Sequence, residues 1–225
     1  LHVFVAVPFG KKTGPDGTVN AGTETFDRTL ASLQKPESQC QPRQVLLFSG
    51  HMIDAPDRAT PRFPADKAGI AAQKIAETLA QLGAGPEDLA LTQGACGGDI
   101  LFAEACLQRG VKLKLLQPFE EAVFIEKSVL PGGESWRDRY YALKPQSEIK
   151  AAPIELGVPP KSANPYERCN LWLLDTALAY GIEKVRFICL WNGEGDDAPG
   201  GTAHMYQEVN EKTGQVVWLD TRKLW

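Results

Sequence analysis

Thr92–Gln93–Gly94–Ala95–Cys96–Gly97–Gly98–Asp99 stands between a short apolar run, Leu89–Ala90–Leu91, and an apolar segment from Ile100 to Leu107. That order reads as strand, glycine turn, helix. Three glycines within five residues let the backbone come close to a neighbour or a ligand. The helix that follows aims its first N–H groups at whatever lies there, and the expected guest is an anion such as a phosphate. Two other turns have the same character: Phe48–Ser49–Gly50–His51 after Val45–Leu47, and Pro199–Gly200–Gly201–Thr202 ahead of the last long helical pattern. Function is expected where the three turns meet.

Outward from that stretch the pattern repeats. A strand at Val45–Phe48 leads through a long loop to a helix over about 65–82, with Ile75, Leu79 and Leu82 on one face. Gly110 closes the helix after the opening turn, and Leu113–Leu116 reads as a third strand. Residues 120–130 and 135–143 read as helices, and residues 145–165, with five prolines, as irregular. Asn164 caps and Pro165 begins a helix to Tyr180, Val185–Trp191 is a buried strand, and a helix to about Glu211 precedes a last strand at Val216–Leu219. Strands that are apolar on both faces and alternate with helices predict an α/β, three-layer Rossmann-like fold with a mostly parallel sheet and helices on both faces. Ligands of such sheets bind beyond the carboxyl ends of the strands, the edge where all three glycine turns fall.

Upstream, His2–Val7 reads as a strand and Glu24–Leu33 as a short helix, before a polar, proline-bounded linker at 35–42. Residues 1–42 are therefore expected to be an appendage and 43–225 the main domain. One strand and one helix cannot enclose a core, so the appendage must dock on the rest, pair with another chain or belong to something larger.

The 24 basic and 28 acidic side chains leave a net charge of −4, which argues against nucleic-acid binding. No apolar run approaches the roughly 20 residues of a membrane-spanning helix, and the expected location is the cytoplasm. Five cysteines without a C-x-x-C pair read as reduced thiols, and His2, His51 and His204 lie too far apart in sequence for a usual zinc pattern. Neither a Walker A loop nor the dinucleotide fingerprint is present, and no cofactor is required by any motif.

Candidate site residues follow from the turns. Gly94, Ala95, Gly97, Gly98 and Asp99 form one wall; tight packing explains one such glycine well and three poorly. Ser49, Gly50 and His51 offer a hydroxyl, a close-approach glycine and an imidazole, with His51 able to bond a ribose or phosphate or move a proton. Arg62, between two prolines, suits a clamp on phosphate or carboxylate, or a surface ion pair. Gly200, Gly201 and Thr202 repeat the anion cradle. Trp191, Asn192 and Gly193 are placed to stack on a base and bond its edge, although a tryptophan ending a buried strand also suits a core. Glu104 is a second catalytic candidate beside His51. Cys96, near a helix start, is placed for a lowered pKa, although a lone thiol without a base is usually structural.

Together, Ser49–Asp54, Pro61–Arg62–Phe63–Pro64, Gln93–Asp99, Pro118–Phe119, Ser128–Val129 and Gly200–Gly201–Thr202 resemble the SLOG superfamily. This is the Rossmann-like group named for the DNA-processing Smf and DprA proteins and the LOG cytokinin-activating enzymes. The likeness covers roughly residues 44–221. It implies a small-molecule nucleotide derivative as ligand, homo-oligomerisation, and association with other domains of a bacterial signalling or defence protein. Some branches cleave a nucleotide's N-glycosidic bond; others bind signals derived from NAD or ADP-ribose. The cleaving branch carries Pro-Gly-Gly-x-Gly-Thr-x-x-Glu, whereas here Met205 falls where the glutamate belongs. That departure favours a binding or sensor domain, with a LOG-like hydrolase and an interaction module with a vestigial pocket as the alternatives. The opening Val3–Lys11 resembles the first strand of a bacterial TIR-like, conflict-system domain.

Overall fold

The inner strands of the sheet are short and largely apolar, and the chain crosses back over one face between successive strands, so neighbours pair in parallel. The computed structural model describes residues 41–158, 161–195, 200–213 and 215–225. The readings of the strand, helix and appendage over residues 1–40, and the TIR-like resemblance, lie outside the described residues. In chain order the elements are β1 (Val45–Gly50), α1 (Ala68–Gln81), β2 (Leu89–Thr92), α2 (Gly98–Gln108), β3 (Lys112–Gln117), α3 (Glu121–Phe124), α4 (Glu134–Leu143) and β4 (Ser147–Ala151). Then come α5 (Ala152–Glu155), α6 (Pro165–Leu178), β5 (Val185–Trp191), α7 (Thr202–Lys212), β6 (Val216–Asp220) and α8 (Thr221–Leu224).

The six strands form one sheet in the order β4-β3-β2-β1-β5-β6, every pairing parallel. Alternation along β1 sends Leu46 and Phe48 into the core under α1, α2 and α4, and Val45 and Leu47 into the core under α6 and α7. These are the three layers expected. α2 is apolar nearly all round because it is buried between the sheet and its helical neighbours, with Phe102 stacked on Phe48 at 4.6 Å. Asn164 caps α6 as expected, its side-chain oxygen accepting from the amides of Tyr166 and Glu167.

Two readings are corrected. Residues 145–165 are not wholly irregular: Ser147–Ala151 is the edge strand β4, joined to β3 also by a 3.0 Å ion pair between Lys114 and Glu148. An edge strand wet along one side carries charge and lacks the apolar run that marks its buried neighbours. The segment 120–130 is not one helix: α3 passes into a π-turn at Ile125–Val129 and a 3-10 turn at Leu130–Gly132.

Strand order reverses beside β1: β2, β3 and β4 lie on one side of it, β5 and β6 on the other. The crevice at the carboxyl ends of β1 and β5 is therefore the topological switch point, where doubly wound sheets hold their ligands.

Candidate functional site

A cavity of about 390 Å³ opens at that point. It is lined by Ser49 to Met52 after β1, by Gln93, Ala95 and Asp99 after β2, and by Gly200 to Thr202 before α7. The three glycine turns do meet. Five further lining residues come from outside the three turns: Arg58 and Arg62 from the loop after β1, Ser128, one of the residues that carry the resemblance, from the π-turn, and Tyr166 and Asn170 from α6.

The turn after β2 is held from several sides. Gly98 N donates to His51 O (3.0 Å), Ile53 N to Cys96 O (3.3 Å) and Cys96 N to Ser128 O (2.8 Å), while Met52 bridges Gly97. Gly97 has φ +98°, and a Cβ there would lie 2.7 Å from Ile53 N and 2.8 Å from His51 O. A Cβ on Gly98 would lie 3.1 Å from Gly50 Cα, and Gly94 has φ +91°. All three glycines thus have a reason in the protein's own backbone, against the expectation that packing explains only one.

Asp99 does not cap α2 from outside; it sits in the first turn and reaches back, its Oδ2 accepting from Gly94 N (3.2 Å) and Ala95 N (3.3 Å). These two amides of the anticipated anion cradle already hold an anion, the protein's own carboxylate. Burial pushes the Asp99 carboxyl up to about 6, outweighing the bonds that favour its charged form. Burial raises Cys96 to about 11, which suits the structural reading of this thiol and not the lowered value. Cys106, Cys169 and Cys189 are likewise buried free thiols with raised values.

His51 is 4% exposed. Its Nε2 accepts from Asn192 N (3.2 Å) and lies 3.1 Å from Asn192 Oδ1, so that nitrogen is committed to the end of β5. Asn192 is in turn held by Glu194, whose amide donates to Asn192 Oδ1 (3.3 Å). Trp191, Asn192 and Gly193 do not line the cavity. Trp191 packs against Tyr206 and Trp218, at 5.1 and 5.6 Å between ring centroids, and is part of an aromatic cluster rather than a stacking platform. Glu104 is also outside it, paired through both oxygens with Arg139, whose guanidinium lies 4.1 Å from the centroid of the Trp136 ring.

Asp54 builds the loop that carries the arginines. Its Oδ2 accepts from Arg62 N (2.7 Å) and Phe63 N (2.6 Å), Oδ1 lies 3.4 Å from Arg58 Nε, and its own amide donates to Phe63 O (3.0 Å). One carboxylate thereby closes both ends of the loop and sets Arg58 and Arg62 at the cavity. Asp54→Ala is expected to cost about 2 kcal/mol of stability, through two amides left without their charged acceptor. Denaturant titration measures that loss, and a variant as stable as the parent would contradict this account of the loop.

On the far wall, Gln93 Nε2 donates to Asn170 Oδ1 (2.9 Å) and Asn170 Nδ2 to Gly200 O (2.8 Å). Asn170 ties the turn after β2 to the turn before α7. Gly200, φ +86°, leaves only 2.6 Å from a would-be Cβ to Glu167 N, so α6 fixes this turn from below. Thr202 is buried at the start of α7, and Met205, at the position of the missing glutamate, is wholly buried in the core under α6 and α7.

Fold and cavity together define a Rossmann-like α/β protein with a cleft at its switch point. Neither a protein-family model nor a curated protein sequence matches the chain. Among solved structures, one titled as TM1055, a structural-genomics target, is similar at 13% identity and TM-score 0.38, over 75% of this chain and 69% of that one. DNA processing protein A (DprA) from Streptococcus pneumoniae is similar at 13% identity and TM-score 0.36, over 79% of this chain. The match spans 59% of the DprA chain, less than two thirds of its length. Among the described residues no helix is long and apolar enough to cross a membrane, and no three His, Cys, Asp or Glu side chains group to hold a metal.

Proposed function

We propose that the cleft binds a small phosphate-bearing nucleotide derivative as a sensor or binding domain, without rapid turnover. The observation that carries this reading is the convergence of three chain turns and two arginines, Arg58 and Arg62, on one cavity of about 390 Å³. That volume falls within the roughly 300–1,000 Å³ usual for small-molecule sites. Guanidinium groups suit phosphate oxygens, and α7 begins at the same cavity with Gly201 and Thr202. The side chains first expected to do chemistry are occupied elsewhere: Glu104 with Arg139, and His51 Nε2 with Asn192. The resemblance to the SLOG superfamily supports an ADP-ribose or NAD-derived ligand and a place in a larger bacterial signalling protein.

The hydrolase alternative has one observation in its favour. Asp99 lines the cavity with a carboxyl raised to about 6, a range in which a side chain can act as general acid or base near neutral pH.

One experiment decides. The protein and its Arg62→Gln variant are incubated with AMP, NAD, ADP-ribose and cyclic ADP-ribose while melting temperature and product formation are followed. At a ligand excess of about 100 Kd, binding adds about 2.7 kcal/mol, a rise of roughly 5–10 °C. The expected result is such a rise with no product, reduced in Arg62→Gln. Release of a free base favours the hydrolase, and no shift with any of the four leaves the interaction module.

A further inference from the structure

β4 closes one edge of the sheet and is paired on one side only, with β3. Backbone N–H and C=O groups point alternately to the two sides of a strand, and those on the outer side of β4 meet no backbone partner among the described residues. Such a row is a template for another strand, and proteins commonly blunt it with charge. β4 does carry charge, but of both signs: Glu148 and Lys150 stand one residue to either side of Ile149. Because side chains alternate, the two share one face of the sheet, where Lys114 of β3 lies 3.0 Å from Glu148. Ile149 is on the other face, packed against the core under α1, α2 and α4. The two charges are not used up where they stand. Lys150 lies 3.5 Å from Glu148 and 3.6 Å from Glu155, wet pairs that contribute little alone, with 46% of the Glu148 side chain and 38% of the Lys150 side chain exposed. A carboxylate and an ammonium each take more than one partner. Just beyond the strand, Ile154, Leu156 and Val158 are 71%, 40% and 87% exposed, apolar side chains at the end of the open edge.

We propose that β4 is the edge through which this protein associates with a second copy of itself, β4 against β4, antiparallel about a two-fold axis at Ile149. The axis sets Ile149 against the partner's Ile149, Ser147 against the partner's Ala151 and Glu148 against the partner's Lys150, and it makes each unlike contact twice. Glu148 then stands between Lys114 and the partner's Lys150, an alternation of charge across the junction. Moving the axis to Glu148 or to Lys150 sets like charges face to face, so charge selects the register. Antiparallel pairing also runs the partner's chain past the apolar end of the edge, and it joins the two six-stranded sheets into one. The opposite edge, β6, has no such symmetry: its one charged residue, Asp220, falls opposite an apolar valine about an axis at Trp218. The proposal does not depend on the nucleotide reading.

The test is sedimentation of the full chain at concentrations up to about 0.5 mM, enough to reveal a dimer with a Kd of about 0.1 mM or tighter. Wild type is expected to dimerise. Glu148→Lys opposes lysines across the axis and Lys150→Glu opposes glutamates. The axis repeats each change, so each variant alone should self-associate at least about tenfold more weakly. Mixed in equal amounts the two variants are complementary in both rows, and a mixed dimer about as tight as wild type is expected. Circular dichroism checks that each variant folds. If Glu148→Lys does not, for want of its pair with Lys114, Lys150→Glu alone still decides, because it leaves that pair in place. A wild-type chain that stays monomeric throughout overturns the proposal, as does a dimer that Lys150→Glu leaves unchanged. Two weakened variants whose mixture forms no dimer overturn it as well, since their charges then do not meet across an axis at Ile149.

Discussion

Replacing Gly97 by alanine is expected to lower the melting temperature by about 10 °C. Two costs add. At φ +98° and ψ −126° the backbone is in a region that alanine enters only with strain, about 1–3 kcal/mol. The new Cβ would also press on Ile53 N and His51 O, rigid backbone atoms that cannot turn aside as a side chain would, for about 1–3 kcal/mol more. The control is Gly69→Ala on the exposed side of α1, where nothing lies within 4 Å of the new carbon. There the change should stabilise by about 0.5–1 kcal/mol, because alanine loses less backbone freedom in a helix. Paired denaturation curves read both. Equal melting temperatures for Gly97→Ala and the parent would show that the β1 and β2 turns do not meet as described.

The stability of Asp99→Asn is expected to differ from that of wild type in slope against pH. The unfolded carboxyl titrates near 3.8 and the folded one near 6, so between those values the folded state holds a proton that the unfolded state has released. The contribution is fully present below about 4 and is lost as pH rises through about 6. A difference of about 2 pH units corresponds to about 3 kcal/mol. Asp88 works in the opposite sense. Burial opposes ionisation there, but bonds from Arg43, Gln44 and Gly85 win and lower its pKa, so its stabilisation is present above the unfolded value and is lost as pH falls. Because Asp88 is common to both proteins, subtracting the two curves isolates Asp99. Unfolding free energies at intervals from pH 4 to 8 should show wild type declining by about 3 kcal/mol relative to Asp99→Asn; parallel curves would mean that Asp99 is not the buried carboxyl described.

How far the fold could be read depended on where each strand sits. β1, β2, β3 and β5 are mostly buried and each carries an apolar run of three residues or more or a near-continuous apolar face, whereas Ser147–Glu148–Ile149–Lys150–Ala151 at the edge has no such run and passed for loop. The meeting of three turns was legible because strand–helix alternation forces parallel pairing and puts all strand ends on one side. The partner of Gly97 was not: a glycine's need for room is visible in sequence, but His51 and Ile53 fill that room only after two strands have paired. Ser128, Tyr166 and Asn170 reach the cavity from crossover segments, whose docking no periodicity encodes. Trp191 held a missed signal. Counting by twos from Phe187 through Cys189 puts it on the α6 and α7 face, against Tyr206, and not at the mouth of a site.

The register of the central strand also sets the order in which this molecule can be assembled. β1 pairs with β5 from Val45 to Val185, partners 140 residues apart, and none of the six strands is joined to its neighbour by a hairpin. Such closures are entropically late events, and domains built from them fold slowly. During synthesis β1, β2 and β3 can associate early, but one flank of β1 stays open until β5 has emerged, an unsatisfied edge that invites association with other chains. The cleft is closed by the turn before α7, so its walls are complete only in a chain in which that longest-range pairing has formed.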